Sequence, residues 1–135
     1  MVKEVKRPGR AAGGGFYDYP AGGKKTLWPQ LKTLFEKPNV AWDIAELKDR
    51  LLYRQAIETA RCLHEGVLTT VHDANIGSIF GIGFPAWTGG ALQFIYGIGI
   101  DAFAQRAAEL ASQYGGGFAL DAKVLATLRE HEPHY

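Results

Sequence analysis

From Asp43 to Glu65 the chain has no Gly or Pro and consists mostly of good helix formers, which predicts one long helix closed by Gly66. Two apolar stripes run along it at helical spacing. One passes through Ile44, Leu47 and Leu51, the other through Leu52, Ala56, Ala60, Leu63 and Val67, so the helix is expected to be buried on two sides and to sit centrally. A second helix is expected through Asn75, Ile76, Ile79 and Phe80, with Asp73 as its N-cap and Gly81, Gly83 and Pro85 ending it. Ile100, Phe103, Ala104, Ala107, Leu110, Ala111 and Tyr114 then recur at three- and four-residue intervals, predicting an amphipathic helix stopped by Gly115. A short last helix follows, with Asp121 near its start and Leu125 and Leu128 facing inward. No segment alternates with period two, so the body is expected to be all-α.

The first forty residues have a different texture, with glycines and prolines around the aromatic patch Phe16, Tyr17 and Tyr19. Residues 1–41 are expected to form a basic Gly/Pro-rich linker or strap, and residues 42–135 the helical domain. Leu27, Trp28, Leu31, Leu34 and Phe35 give the strap apolar surface to bury against the body or a neighbour. Gly13 to Gly15 and Gly22 to Gly23 could cradle a phosphate, but neither cluster is expected between a strand and a helix, so flexible connection is the preferred reading.

Charge follows the same division. Residues 1–41 carry eight Lys or Arg against three acids, a net of +5, whereas residues 42–135 carry seven against eleven, a net of −4. The run KRPGR could be an arm for nucleic acid, but no neighbouring helix presents the concentrated basic face such a domain needs, and no nucleic-acid partner is expected.

With 47% hydrophobic and 21% charged residues the chain has the composition of a folded globular protein. Its one cysteine, Cys62, rules out an internal disulfide and a cysteine-based zinc site. No apolar stretch follows the basic N-terminal residues as in a signal peptide, so a cytoplasmic chain is expected.

Two features imitate other functions. The 27 residues from Ala74 to Ile100 contain no charged side chain and could span a bilayer, but seven glycines, Pro85 and the polar Asn75, Ser78, Thr88 and Gln93 break the run into two short helices, and no transmembrane segment is expected. LQFIY followed by Gly97, Gly99 and Ala102, with Asp121 about twenty residues on, matches a dinucleotide fingerprint. Only fourteen residues follow Asp121, too few for the further strands of such a sheet, so two helices meeting at a glycine turn are expected instead.

Reactive side chains are scattered. His64 and His72 stand beside Glu65 and Asp73 at a spacing that fits no standard metal box, and a favourable place near a helix end is the simpler reading for His64. His131 and His134 fall at the chain end, and Cys62 reads as a small helical hydrophobe. Asp49 and Arg50 could act in catalysis, with a solvated or ion-paired helix face preferred. No catalytic, cofactor-binding or metal-binding residue is assigned.

GGGFYDYPAGGKKTLWPQL resembles the segment closing the first C-terminal domain of multifunctional β-oxidation α-subunits. LKDRLLYRQAIETARCLHEGVLTTVHDANIGSIFGIGFPAWTGGALQFI is similar to the second, duplicated C-terminal domain of the 3-hydroxyacyl-CoA dehydrogenase in the same enzymes, and the resemblance runs from about Gly13 to His131. It implies a helical bundle like the C-terminal domain of 6-phosphogluconate dehydrogenase. It also implies that NAD, and a His and Glu pair, belong to a Rossmann domain whose motifs are not found in this chain. Where the family's first C-terminal domain offers a substrate-holding Asn in N-R-L-L, this sequence has Asp49 in DRLL, an anion without the amide's N–H donors.

The structural motif of the resemblance comprises Asp73, Asn75, Gly81, Gly83, Pro85, Gly89 and Gly90. Its glycines are expected to allow tight turns, while Phe84, Pro85 and Trp87 fill space between helices. The reading reached is a non-catalytic domain of an NAD-dependent 3-hydroxyacyl-CoA dehydrogenase fused to enoyl-CoA hydratase, supporting structure and a substrate channel. The remaining domains of that enzyme are its expected partners, with a thiolase β-subunit and acyl-CoA beyond them. An independent acyl-CoA binding module and a small membrane protein are the alternatives.

Overall fold

A computed structural model describes residues 1–38 and 40–133; His134 lies outside the described residues. They divide into two compact units, Met1–Ala41 and a second beginning at Trp42. The first holds two strands, β1 (Tyr17–Asp18) and β2 (Thr26–Leu27), and a short helix, α1 (Gln30–Phe35). The strands pair antiparallel with Tyr17 opposite Leu27 and Asp18 opposite Thr26. Arg7 organises this unit. Its guanidinium donates to the carbonyls of Gly15 (2.9 Å) and Tyr17 (3.2 Å), pairs with Asp18 and lies 4.5 Å from the centre of the Trp28 ring. A Cβ at Gly14 would meet that guanidinium at 2.6 Å, so the glycine leaves room for it.

The second unit is all-helical among the described residues: α2 (Ile44–His64), α3 (Val71–Ile82), α4 (Ala91–Ile98), α5 (Ile100–Tyr114) and α6 (Ala122–Glu130). Helix α2 starts as its sequence directs, with the Asp43 carboxylate accepting from the Ala45 and Glu46 N–H groups. It is central, packing on α3, α4 and α6. Its buried stripe is Tyr53, Ala56, Ile57, Ala60 and Leu63, which closes a core with Leu92, Ile95, Phe103, Ala107, Leu110 and Leu128. The alanines let the helices approach, and aromatic rings fill what remains. Tyr53 stacks on Phe103 with centroids 4.3 Å apart, Phe94 meets both edge-on, and Phe84 meets Phe94 in the same way. Burying a ring such as Phe103 contributes about 2–3 kcal/mol.

Two expectations about these helices are corrected. The stripe through Ile44, Leu47 and Leu51 is not packed: Ile44 and Leu51 are exposed, and Val67 is an exposed residue beyond the end of α2. Helix α3 begins earlier than Asp73. Thr70 is its N-cap, its hydroxyl accepting from the Asp73 N–H (3.0 Å) and donating to the Asp73 carboxylate (2.7 Å). The acid thus sits in the first turn of a capping arrangement, where the helix dipole favours it.

Gly97 lies inside α4 and Gly99, at φ 93°, joins α4 to α5. The only sheet among the described residues is the two-stranded antiparallel one in the first unit. The glycines therefore mark a helix–helix junction, and the dinucleotide fingerprint has no parallel sheet to sit on. No helix of the described residues is long and apolar enough to cross a membrane.

Candidate docking face

The junction between α3 and α4 is built from short polar side chains. The α4 N-terminus leaves backbone N–H groups without helical partners, and α3 supplies the acceptors. Asn75 Oδ1 accepts from the N–H groups of Leu92 (3.0 Å) and Gln93 (2.9 Å), and Ser78 Oγ accepts from that of Ala91 (3.0 Å) while donating to the Asn75 carbonyl (2.8 Å). Thr88 Oγ1 accepts from the Gly90 N–H (3.1 Å) and donates to the Pro85 carbonyl (2.7 Å). Asn75 thus caps a helix that is not its own.

This closeness dictates Gly90. Its φ is 115°, and a Cβ there would fall 2.5 Å from both Cα and Cβ of Asn75. Gly83 ends α3 in the left-handed region at φ 71° and turns the chain so that Phe84 enters the core. Gly81 differs from the expectation: it lies within α3, and a Cβ there would meet open space, so no turn requires it.

The outer side of the corner is bare and apolar. Phe80 is 85% exposed and Trp87 80% exposed, with Ile76 and Ile82 also exposed. Trp87 therefore does not fill space between helices as expected; its indole borders a shallow groove of about 290 Å³ with Phe94 and Ile98. Ile76 and Phe80 are one turn apart on α3 and share a face. A corner rigidly tied inside and apolar outside suits docking to another surface, because little order has to be gained on contact.

A second bare region follows α2. Leu47, Leu51, Gln55 and Phe118 line an open groove of about 390 Å³ bordered by Arg50 and Arg54. Arg50 lies 4.1 Å from the centre of the Tyr114 ring, and Arg54 pairs with Glu58 (3.4 Å).

Asp49 is ion-paired, the reading preferred for it from the sequence, in a cluster whose cation the sequence did not name. Arg106 of α5 donates to Asp49 Oδ2 from Nε (3.2 Å) and Nη2 (3.0 Å), to Glu109 from Nη1 (3.1 Å), and to Glu46. The hydrogen bond to Glu46, reinforced by Asp49 and Glu109, raises the Arg106 pKa despite the cost of burial. Glu46 and Asp49 one turn apart on α2 were a visible signal for such a partner, but nothing local named Arg106.

The other reactive residues stay apart. His64 Nδ1 meets Thr127 Oγ1 at 2.8 Å, His131 Nδ1 meets the Thr127 carbonyl at 3.0 Å, and His72 is exposed on α3. Cys62 is a partly buried free thiol. Among the described residues no three His, Cys, Asp or Glu side chains are placed to share a metal ion.

No family model matches the chain. Curated relatives do. It is 34% identical over 118 residues to the fatty acid oxidation complex subunit alpha of Shewanella sp. strain ANA-3, covering 83% of this chain and 17% of that protein. The chain is a relative of one segment of that subunit. The subunit from Shewanella putrefaciens is 34% identical over 129 residues, covering 93% of the chain and 18% of the relative. The subunit from Shewanella oneidensis is 35% identical over 114 residues, covering 83% and 16%. This chain therefore spans about a sixth of the length of the α subunits it matches.

Proposed function

We propose that the chain is a C-terminal helical domain of a fatty-acid β-oxidation enzyme, an NAD-dependent 3-hydroxyacyl-CoA dehydrogenase fused to enoyl-CoA hydratase, and that it supplies docking surface and no catalytic group. NAD is held by the parent enzyme's other domains, which are also this domain's direct partners. The observation that carries the reading is the exposure of Phe80 and Trp87 on a corner fixed from inside by Asn75 and Ser78. Large rings are stably displayed in this way when another apolar surface covers them.

The chemistry of the chain supports a non-catalytic role. Asp49, the position where the resemblance places a substrate-holding Asn, is engaged by Arg106 and lacks amide donors. The Asp49 carboxylate itself has no N–H to offer a substrate carbonyl. The relatives are named as subunits of a complex, which supports a further partner of the thiolase β-subunit type and a share in shaping the acyl-CoA channel. A single unpaired cysteine supports work in the cytoplasm.

The test is turnover. The purified chain supplied with 3-hydroxyacyl-CoA and NAD is expected to form no NADH. Steady NADH formation that disappears on changing one of its own residues contradicts the proposal.

A further inference from the structure

The first unit contains a half-open cavity of about 590 Å³ between the turn at Arg10–Ala12 and the turn at Pro20 to Gly23. Gly13, Gly22 and Gly23 are among its lining residues, with Gly13 and Gly22 in the left-handed region at φ 82° and 73°. Two cations line it. The Arg10 guanidinium lies 5.7 Å from the centre of the Tyr19 ring, and the Lys25 ammonium 4.7 Å from that of Tyr17. Neither has a carboxylate partner among the described residues. The nearby acid, Asp18, is taken by Arg7. Positive charge is therefore left uncompensated at a concave, glycine-walled surface of a segment whose net charge is +5.

Each of these features serves an anion. A concave wall concentrates the field of the two cations, and the rings restrict their stems, so less freedom is lost when they close on a ligand. Glycine walls let oxygens approach the backbone closely. The volume lies within the range of small-molecule sites and is too large for a single inorganic phosphate to fill. We infer that this cavity binds an organic diphosphate of nucleoside-diphosphate size, with its phosphate oxygens between Arg10 and Lys25. Free nucleotides and coenzyme A thioesters both carry such a group. The inference stands apart from the docking role, which concerns the other unit.

Calorimetric titration of the full chain with ADP, coenzyme A, inorganic phosphate and adenosine tests it. ADP is expected to bind one to one, with phosphate at least about tenfold weaker and adenosine silent, because charge-assisted hydrogen bonds carry the affinity. Coenzyme A binding alongside ADP assigns the site to thioester ligands, and ADP binding alone assigns it to free nucleotides; both support the inference. The double variant R10Q/K25Q is expected to lose about tenfold or more in affinity, while K32Q/K37Q in the same unit keeps it. Absence of saturable ADP binding at millimolar concentration, unchanged binding by R10Q/K25Q, or an equal loss in K32Q/K37Q overturns it.

Discussion

Asn75 shows how one residue can hold two elements in register. Its amide oxygen takes two N–H groups of α4, those of Leu92 and Gln93. Removing it in Asn75→Ala is expected to cost about 1–3 kcal/mol, as a lost cap that leaves donors unsatisfied, measured by urea unfolding. Asn75→Asp, which keeps the acceptor, is expected to recover most of this. A loss as large in Asn75→Asp as in Asn75→Ala contradicts the capping role. Gly90→Ala presses a methyl group into Asn75 at a positive φ and is expected to destabilise by more than about 2 kcal/mol. At Gly81, with open space around the Cβ position, alanine is expected to stabilise by about half a kcal/mol to one kcal/mol.

At the scale of elements, the long regular stretches were legible and the long-range ties were not. The run from Asp43 to Glu65 announced α2 because propensity, cap and terminator agree there, and Gly115 and Asp121 marked the end of α5 and the start of α6 for the same reason. The start of α3 was misplaced because Thr70 and Asp73 are both cap formers, and their reciprocal bonds appear only once the helix is built. Helical spacing alone marked Ile44 and Leu51 for burial, yet periodicity cannot distinguish a core stripe from a docking stripe. Arg106 was invisible because its partners Glu46 and Asp49 lie on another helix. The packing also sets an alkaline limit. Burial, reinforced by the Asp49 carboxylate, pushes the Tyr53 hydroxyl up to about 12, and burial with Glu132 pushes that of Tyr96 up to about 12, against an ordinary 10.0. Both values are raised in the folded state, so the neutral phenols stabilise it fully below pH 10.0, and that contribution is lost as pH rises toward about 12. Circular dichroism is expected to hold steady to pH 10.0 and to decline above it, less steeply in Tyr53→Phe. A decline as steep in Tyr53→Phe as in the wild type contradicts this cause.

For the molecule as a whole, the inward-facing chemistry is spent on assembly and the outward-facing apolar chemistry is left over. Asn75, Ser78, Thr88 and Arg106 all bond within the helical unit, while Phe80, Trp87, Ile82 and Leu51 remain in solvent. That division is what a domain of a larger enzyme requires, and relatives in which this segment is about a sixth of the chain have that larger context. The most direct measurement is binding of this chain to the Shewanella putrefaciens α subunit from which the matching segment has been deleted. The wild-type chain is expected to bind saturably, and F80S/W87S, folded by circular dichroism, to bind at least about tenfold more weakly, since buried aromatic anchors dominate such interfaces. A wild-type chain that does not bind, or a folded F80S/W87S chain that binds as well as the wild type, contradicts the account.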